Sequence, residues 1–197
     1  MHRVECAFTS AAPVAAAVTA AVDILGGVDQ FVYAWYPAEL TESAVFTELS
    51  EDQWARICEG PLDAAWWLVR ALIGPMRNSG GGSMVFVVPT VGLTGASGLV
   101  MLATVAEGLR VLAKGCGRCW GEDNVTVNTL ATSPALWVGA EHGQRLLREI
   151  SLSVPAMGRV GDPADDLAPV IELLGTHEAH FLTAGTLVTD GGLWMGL

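Results

Sequence analysis

The stretch GSMVFVVPTVGLTGASGLVMLATVAEGLRVLAKG, residues 82–115, decides the fold. Residues 82–89 form a nearly unbroken apolar run of strand length, which reads as a strand buried on both faces. Gly92, Gly95 and Gly98 punctuate a loop. Residues 97–121 then predict a long helix. Strand, loop and helix in that order are the unit of a parallel α/β sheet. No charged side chain occurs from 78 to 106, a length that would cross a bilayer. Gly80, Gly81, Gly82, Pro89 and the three loop glycines break that run before any helix begins, so a buried β-loop-α unit is predicted instead.

Working outward, strands and helices alternate. VECAF (4–8) predicts a short strand and residues 11–25 a helix with Ser10 as cap, closing at Gly26-Gly27. Residues 28–35 predict a strand. Residues 50–76 predict a long helix capped by Ser50, kinked at Pro61. Residues 125–132 predict a strand, GAEHGQRLLREI (139–150) a helix, residues 162–175 a helix with Asp162 as cap and Pro163 first inside, and residues 185–191 a last strand. A right-handed crossover would place residues 4–8 beside strand 28–35, giving about five strands.

The 197 residues suffice for one domain with a sizeable core. The sequence carries 21 acidic residues against 10 Arg and Lys, a formal net charge of −11. That balance argues against nucleic acid and anionic membrane as partners. The apolar N-terminal run is interrupted by Glu5 and Pro13 and reads as strand, turn and helix, with no cleaved leader. Cys116 and Cys119 form a Cys-x-x-Cys without a second pair to complete a zinc set, so packing on one helix face is expected. Cys6 and Cys58 read as buried thiols, and nothing requires an oxidising compartment. His177-Glu178-Ala179-His180 is one residue short of a zinc-gripping helix and reads as a helix end or loop.

Several segments, in the right order, resemble the short-chain dehydrogenase/reductase family. GGVDQFVY is similar to the strand entering the family's Asn-Asn-Ala-Gly motif. LSEDQWARI resembles the start of the next helix, and GGGSMVFVVPTVGLTG the strand carrying the catalytic Ser. CWGEDNVTVNTLATSP resembles the segment leading to the Pro-Gly loop. Residues 158–192 resemble the C-terminal signature. The resemblance implies a Rossmann-like, doubly wound parallel sheet in a single domain, 1–197, lacking the first βα units of the dinucleotide-binding half.

The family's functional residues do not carry over. Tyr33-Ala34-Trp35-Tyr36 stands at Asn-Asn-Ala-Gly and Pro61 at the catalytic Asn. Pro89 stands at the catalytic Ser with Thr90 beside it, Leu102 and Ala106 at the Tyr and Lys, and Thr132-Ser133 at Pro-Gly. Independently of alignment, Tyr occurs only at 33 and 36 and Lys only at 114, so no Tyr-x-x-x-Lys exists anywhere in the sequence. Carbonyl reduction by hydride transfer needs a proton donor tuned by a nearby cation. The glycine-rich turn that would meet a dinucleotide pyrophosphate is missing too.

The resemblance therefore implies a catalytically degenerate, non-catalytic subunit, cytoplasmic and without its own cofactor. It would pair with an intact short-chain dehydrogenase homologue that holds NAD, in a hetero-oligomer, by expectation a heterotetramer. A heteromeric dehydrogenase of a hydroxyacyl-CoA in aromatic (toluene) degradation is one such setting. Helices 50–76 and 97–121, which pair across the family's dimer, offer Trp54, Trp66, Trp67, Leu109, Leu112 and Trp120 as candidate interface residues. The alternatives are a small-molecule-binding module using a vestigial cleft lined by Trp35, Tyr36, Val91 and Leu102, or a diverged enzyme of another class; a dehydrogenase site hidden by divergence would have only a shifted Thr90 and Glu107 as its imaginable groups.

Overall fold

A computed structural model of the chain describes residues 2–137 and 154–196. The predicted helix 139–150 lies outside the described residues. Four strands, β1 (Gln30–Tyr33), β2 (Gly82–Pro89), β3 (Val125–Thr132) and β4 (Thr186–Thr189), form one parallel sheet in the order β1-β2-β3-β4. Strands β2 and β3 match their predicted bounds. They pair over their full lengths, from Gly82 opposite Val125 to Pro89 opposite Thr132.

The helices are α1 (Ala11–Leu25), α2 (Glu51–Trp54), α3 (Gly60–Asn78), α4 (Val91–Thr94), α5 (Val100–Trp120) and α6 (Ala168–Leu174). Gly26, with φ 77°, ends α1 in the left-handed conformation a glycine adopts freely. Ser50 caps α2 through a reciprocal box with Gln53. Asp162 accepts from the backbone N–H groups of Ala164 and Asp165 to start the turn leading into α6.

Pro61 acts differently from the predicted kink. It sits in the first turn of α3, and the five residues before it, Ala55–Glu59, form a π-helical turn. A proline cannot donate an N–H to the carbonyl four residues back and clashes with it. A wider turn lets the chain pass from α2 to α3 without that bond.

Strand side chains alternate between two cores. Met84, Phe86 and Val88 enter the larger one with α3 and α5, while Val85, Val87 and Leu130 meet Leu167 and Leu174 on the α6 side. The helices linking β1 to β2 and β2 to β3 thus lie on one face and α6 on the other. Since the strand order advances in one direction, the described helix α6 gives the last crossover the opposite hand to the first two. Right-handed crossovers are the rule, so this reversal is a distinctive mark of the topology.

The expected fifth strand is absent from this sheet. Residues 2–7 belong to no strand or helix and are mostly solvent-exposed. Arg3 and Glu5 pair in solvent, and the Phe8 ring rests 4.9 Å from Trp35. The argument for pairing assumed that lone backbone groups would be buried. Left in water, they carry no desolvation penalty, and the outer edge of β1 has no partner among the described residues.

Candidate functional site

In a parallel α/β sheet, ligands sit beyond the C-terminal strand ends. Here that edge is formed by Tyr33, Pro89, Thr132 and Thr189, the last three in register. β2 is prolonged by one further bond, Thr90 N–H donating to the Thr132 carbonyl at 2.8 Å. The chain then turns at once into α4, which packs on α5.

The positions that would carry phenol and ammonium lie under this turn. Leu102 and Ala106, one turn apart on α5, are both buried, Ala106 at 0% exposure. A Cβ built on Gly92 of α4 would lie 3.1 Å from the Ala106 Cβ. The two helices are therefore in close backbone contact where a lysine would have to extend. Pro89 and Pro61 are buried as well, and Thr90 is sealed at the start of α4. Pro61, Pro89, Leu102 and Ala106 thus all lie inside the molecule.

The two tyrosines have become structural. Tyr33 donates to the Pro61 carbonyl at 2.7 Å and Tyr36 to the Val87 carbonyl at 3.1 Å. The Tyr36 ring stands edge-on to Trp137, centroids 4.6 Å apart, and the Trp137 indole N–H donates to Thr132 Oγ1 at 3.1 Å. Together Tyr36 and Trp137 plug the C-terminal end of the sheet. Burial pushes both phenols far above their ordinary range, and the neighbouring Tyr33 adds to the rise at Tyr36. Lys114, eight residues beyond Ala106, is about 12 Å further along the helix, and Arg110 is paired bidentately with Glu107. Among the described residues neither phenol has a cation beside it, and a phenol raised by burial with no such neighbour is not set up to exchange a proton at neutral pH.

The imagined vestigial cleft is corrected by the same geometry. Val91 and Leu102 are closed off in the core, Trp35 faces outward against Phe8, and Tyr36 points its hydroxyl inward. Glu107, the imagined acid, is tied to Arg110. The role of Trp137 was not read from the sequence. Its only signal there is an aromatic five residues beyond Thr132, a spacing without a known motif.

The interface candidates divide. Leu109 is fully buried in the chain's own core, at 0% exposure, so it has no surface to give a partner. Its place at the α5 face toward the sheet was indistinguishable by type from Leu112, which is half-buried. Trp66 is 47% exposed, with the Arg70 guanidinium 4.7 Å above its ring. Trp54, Trp67 and Trp120 are half-buried. Cys116 and Cys119 also divide: Cys116 is packed inside, its thiol pushed up to about 11 chiefly by burial, whereas Cys119 is exposed. Cys58 is buried but Cys6 is only partly so. His177–Ala179 is a single 3-10 turn. Among the described residues no group of three or more His, Cys, Asp or Glu side chains could hold a metal ion. No described helix is long and apolar enough to cross a membrane.

A family profile described as enoyl-(acyl carrier protein) reductase matches residues 1–194. The chain belongs to the short-chain dehydrogenase/reductase family. The 3-oxoacyl-(acyl-carrier-protein) reductase FabG of Vibrio cholerae is 28% identical over 190 residues, which cover 95% of this chain and 75% of that reductase. The (3R)-3-hydroxyacyl-CoA dehydrogenase of Rattus norvegicus is 25% identical over 162 residues, 80% of this chain and 61% of that enzyme. The crystal structure of a short-chain dehydrogenase/reductase from Burkholderia xenovorans superposes with a TM-score of 0.79 at 27% identity, covering 95% of this chain and 72% of that one. This short-chain dehydrogenase/reductase chain thus shares the fold of oxidoreductases while its own sequence lacks their Tyr-x-x-x-Lys pair.

Proposed function

We propose that this chain is a non-catalytic subunit of a hetero-oligomeric short-chain dehydrogenase, assembled with an intact homologue that holds NAD and carries out the redox step. The observation that carries this reading is the packing at Leu102 and Ala106. The proton-relay positions are filled by apolar side chains and roofed by α4, leaving no room for the missing groups. The outward surface of α3 and α5 supports it, because Trp66 and Val111, 61% exposed, leave apolar area for a partner to cover. Trp and Arg together are common anchors of such contacts. By analogy with the rat relative's name and with (hydroxybenzyl)succinyl-CoA dehydrogenase, the partner's substrate is a hydroxyacyl thioester. The deficit of cations on this chain assigns the thioester's anionic carrier to the partner.

Co-expression with an intact homologue tests the reading. The two chains are expected to co-purify at fixed stoichiometry, with a mass by light scattering of a heterotetramer, and NAD is expected to titrate only the partner. The isolated chain is expected to show no micromolar affinity for NAD or NADP by calorimetry. Turnover by the isolated chain, or a homomer indifferent to every intact homologue, would overturn the proposal.

A further inference from the structure

A cavity of about 660 Å³ opens at the other end of the sheet, below the N-terminal ends of β2 and β3. That volume is in the range of small-molecule sites. Its wall on one side is the glycine run Gly80–Gly82, and on the other the turn that follows α6. Ser83 and Thr126 are register partners on β2 and β3. By strand alternation both side chains face the α6 side, as do Val85 and Leu130. Ser83 is 4% exposed and its Oγ has no hydrogen-bond partner among the described residues. A hydroxyl shut from bulk water without a partner is costly, on the order of 1–3 kcal/mol. Ser83 is one of the residues that line the cavity.

The remaining groups point to one kind of occupant. Asp29 and Asn124 line the mouth. His177 and His180 stack at 4.6 Å, and with His180 Nδ1 directed at the His177 carbonyl, His180 Nε2 is left to meet an occupant. Phe181, 92% exposed, supplies a flat apolar ring at the rim. Among the described residues neither Arg nor Lys lines the cavity, and Asp29 opposes an anion there. The glycine-run N–H groups are already used: Gly80, Gly81 and Gly82 donate to the carbonyls of Arg77, Met76 and Asn124. An anion therefore finds neither a cation nor a free backbone donor in that run. A neutral molecule ringed with hydroxyls, with a C–H face to lie on an aromatic ring, finds a complement for each part.

We infer that this cavity is a binding site for a neutral, hydroxyl-rich small molecule of the sugar or polyol class. It lies at the opposite end of the sheet from the degenerate catalytic positions and does not depend on them.

The test is titration of the full chain, alone or with its partner, by calorimetry and saturation-transfer NMR. The probes are glucose, galactose, N-acetylglucosamine and maltose, with glucose 6-phosphate as the anionic counterpart. At least one neutral probe should bind saturably, and about tenfold or more tighter than the phosphate. Ser83→Ala and Phe181→Ala should each weaken that binding about three- to tenfold. Ser83→Ala should leave the thermal midpoint of the free protein unchanged or raised, because the hydroxyl it removes has no hydrogen-bond partner among the described residues. Three results would each overturn the inference: no saturation by any neutral probe up to about 50 mM, binding of the phosphate as tight as that of its parent sugar, or variants that bind as the parent does.

Discussion

The hydroxyl of Tyr36 shows a polar group used for structure. Its bond to the Val87 carbonyl is a single neutral hydrogen bond, and Tyr36→Phe is expected to cost about 1 kcal/mol in urea unfolding. Both phenols are raised above the ordinary value of 10.0, chiefly by burial. The sign of the pH effect follows. Below about pH 10 neither state ionises these phenols, and their stabilising contribution is fully present. As pH climbs past 10 the unfolded chain ionises first. Stability is then lost at up to about 1.4 kcal/mol per pH unit for each phenol, until the folded value is reached. Urea midpoints measured from about pH 8 to pH 11 should fall from about pH 9, where the buried thiols of Cys58 and Cys116 enter, and more steeply above about pH 10, that upper fall being shallower in Tyr36→Phe. The thiols follow the same logic: at about pH 8 a thiol reagent should modify Cys119 and Cys6 in the folded chain, and Cys58 and Cys116 only after unfolding.

Single elements show what patterning can and cannot specify. Ser50→Ala removes one half of the capping box of α2 and should cost about 1 kcal/mol, read from the unfolding midpoint. Local rules of that kind were legible: Ser50, Asp162 and Gly26 act where the sequence places them. Strands β2 and β3 were legible to the residue because β2 is a nearly unbroken apolar run, β3 is rich in β-branched Val and Thr, and each begins at local chemistry. Gly81 precedes β2, and Asn124, with φ 58°, precedes β3. Residues 4–8 have equally good strand composition but no neighbour, and pairing is a property of the neighbour. The degenerate positions were legible by residue type, since Pro, Leu and Ala cannot relay a proton. Their roofing by α4 was not, because it depends on how closely Gly92 meets Ala106. The cavity under β2 and β3 was invisible for the same reason: Ser83, Thr126 and His180 are brought together only by register and by the path after α6.

At the scale of the molecule, burial within the chain separates folding from assembly. Leu109→Asp places a charge in the chain's own core and should abolish folding, as circular dichroism would show. Trp66→Asp and Val111→Asp change exposed positions on α3 and α5. They should leave the circular dichroism spectrum intact while splitting the complex with the dehydrogenase partner in light scattering, if those helices bury the area of a stable contact, above about 1,000 Å². The contact between Gly92 and Ala106 reaches further than either measurement. Ala106→Lys alone should destabilise the chain by about 3 kcal/mol or more, since a long cationic side chain has no space there and the nearby Glu107 carboxylate is already paired with Arg110. A domain holds only about 5–15 kcal/mol above unfolding. Any lineage that began to restore the relay would have to pass through such a variant before gaining a turnover from it, and selection removes chains that fall below the folding threshold. In the proposed non-catalytic subunit sterics would then act as a ratchet, leaving its descendants free to diversify at their surfaces but not to return.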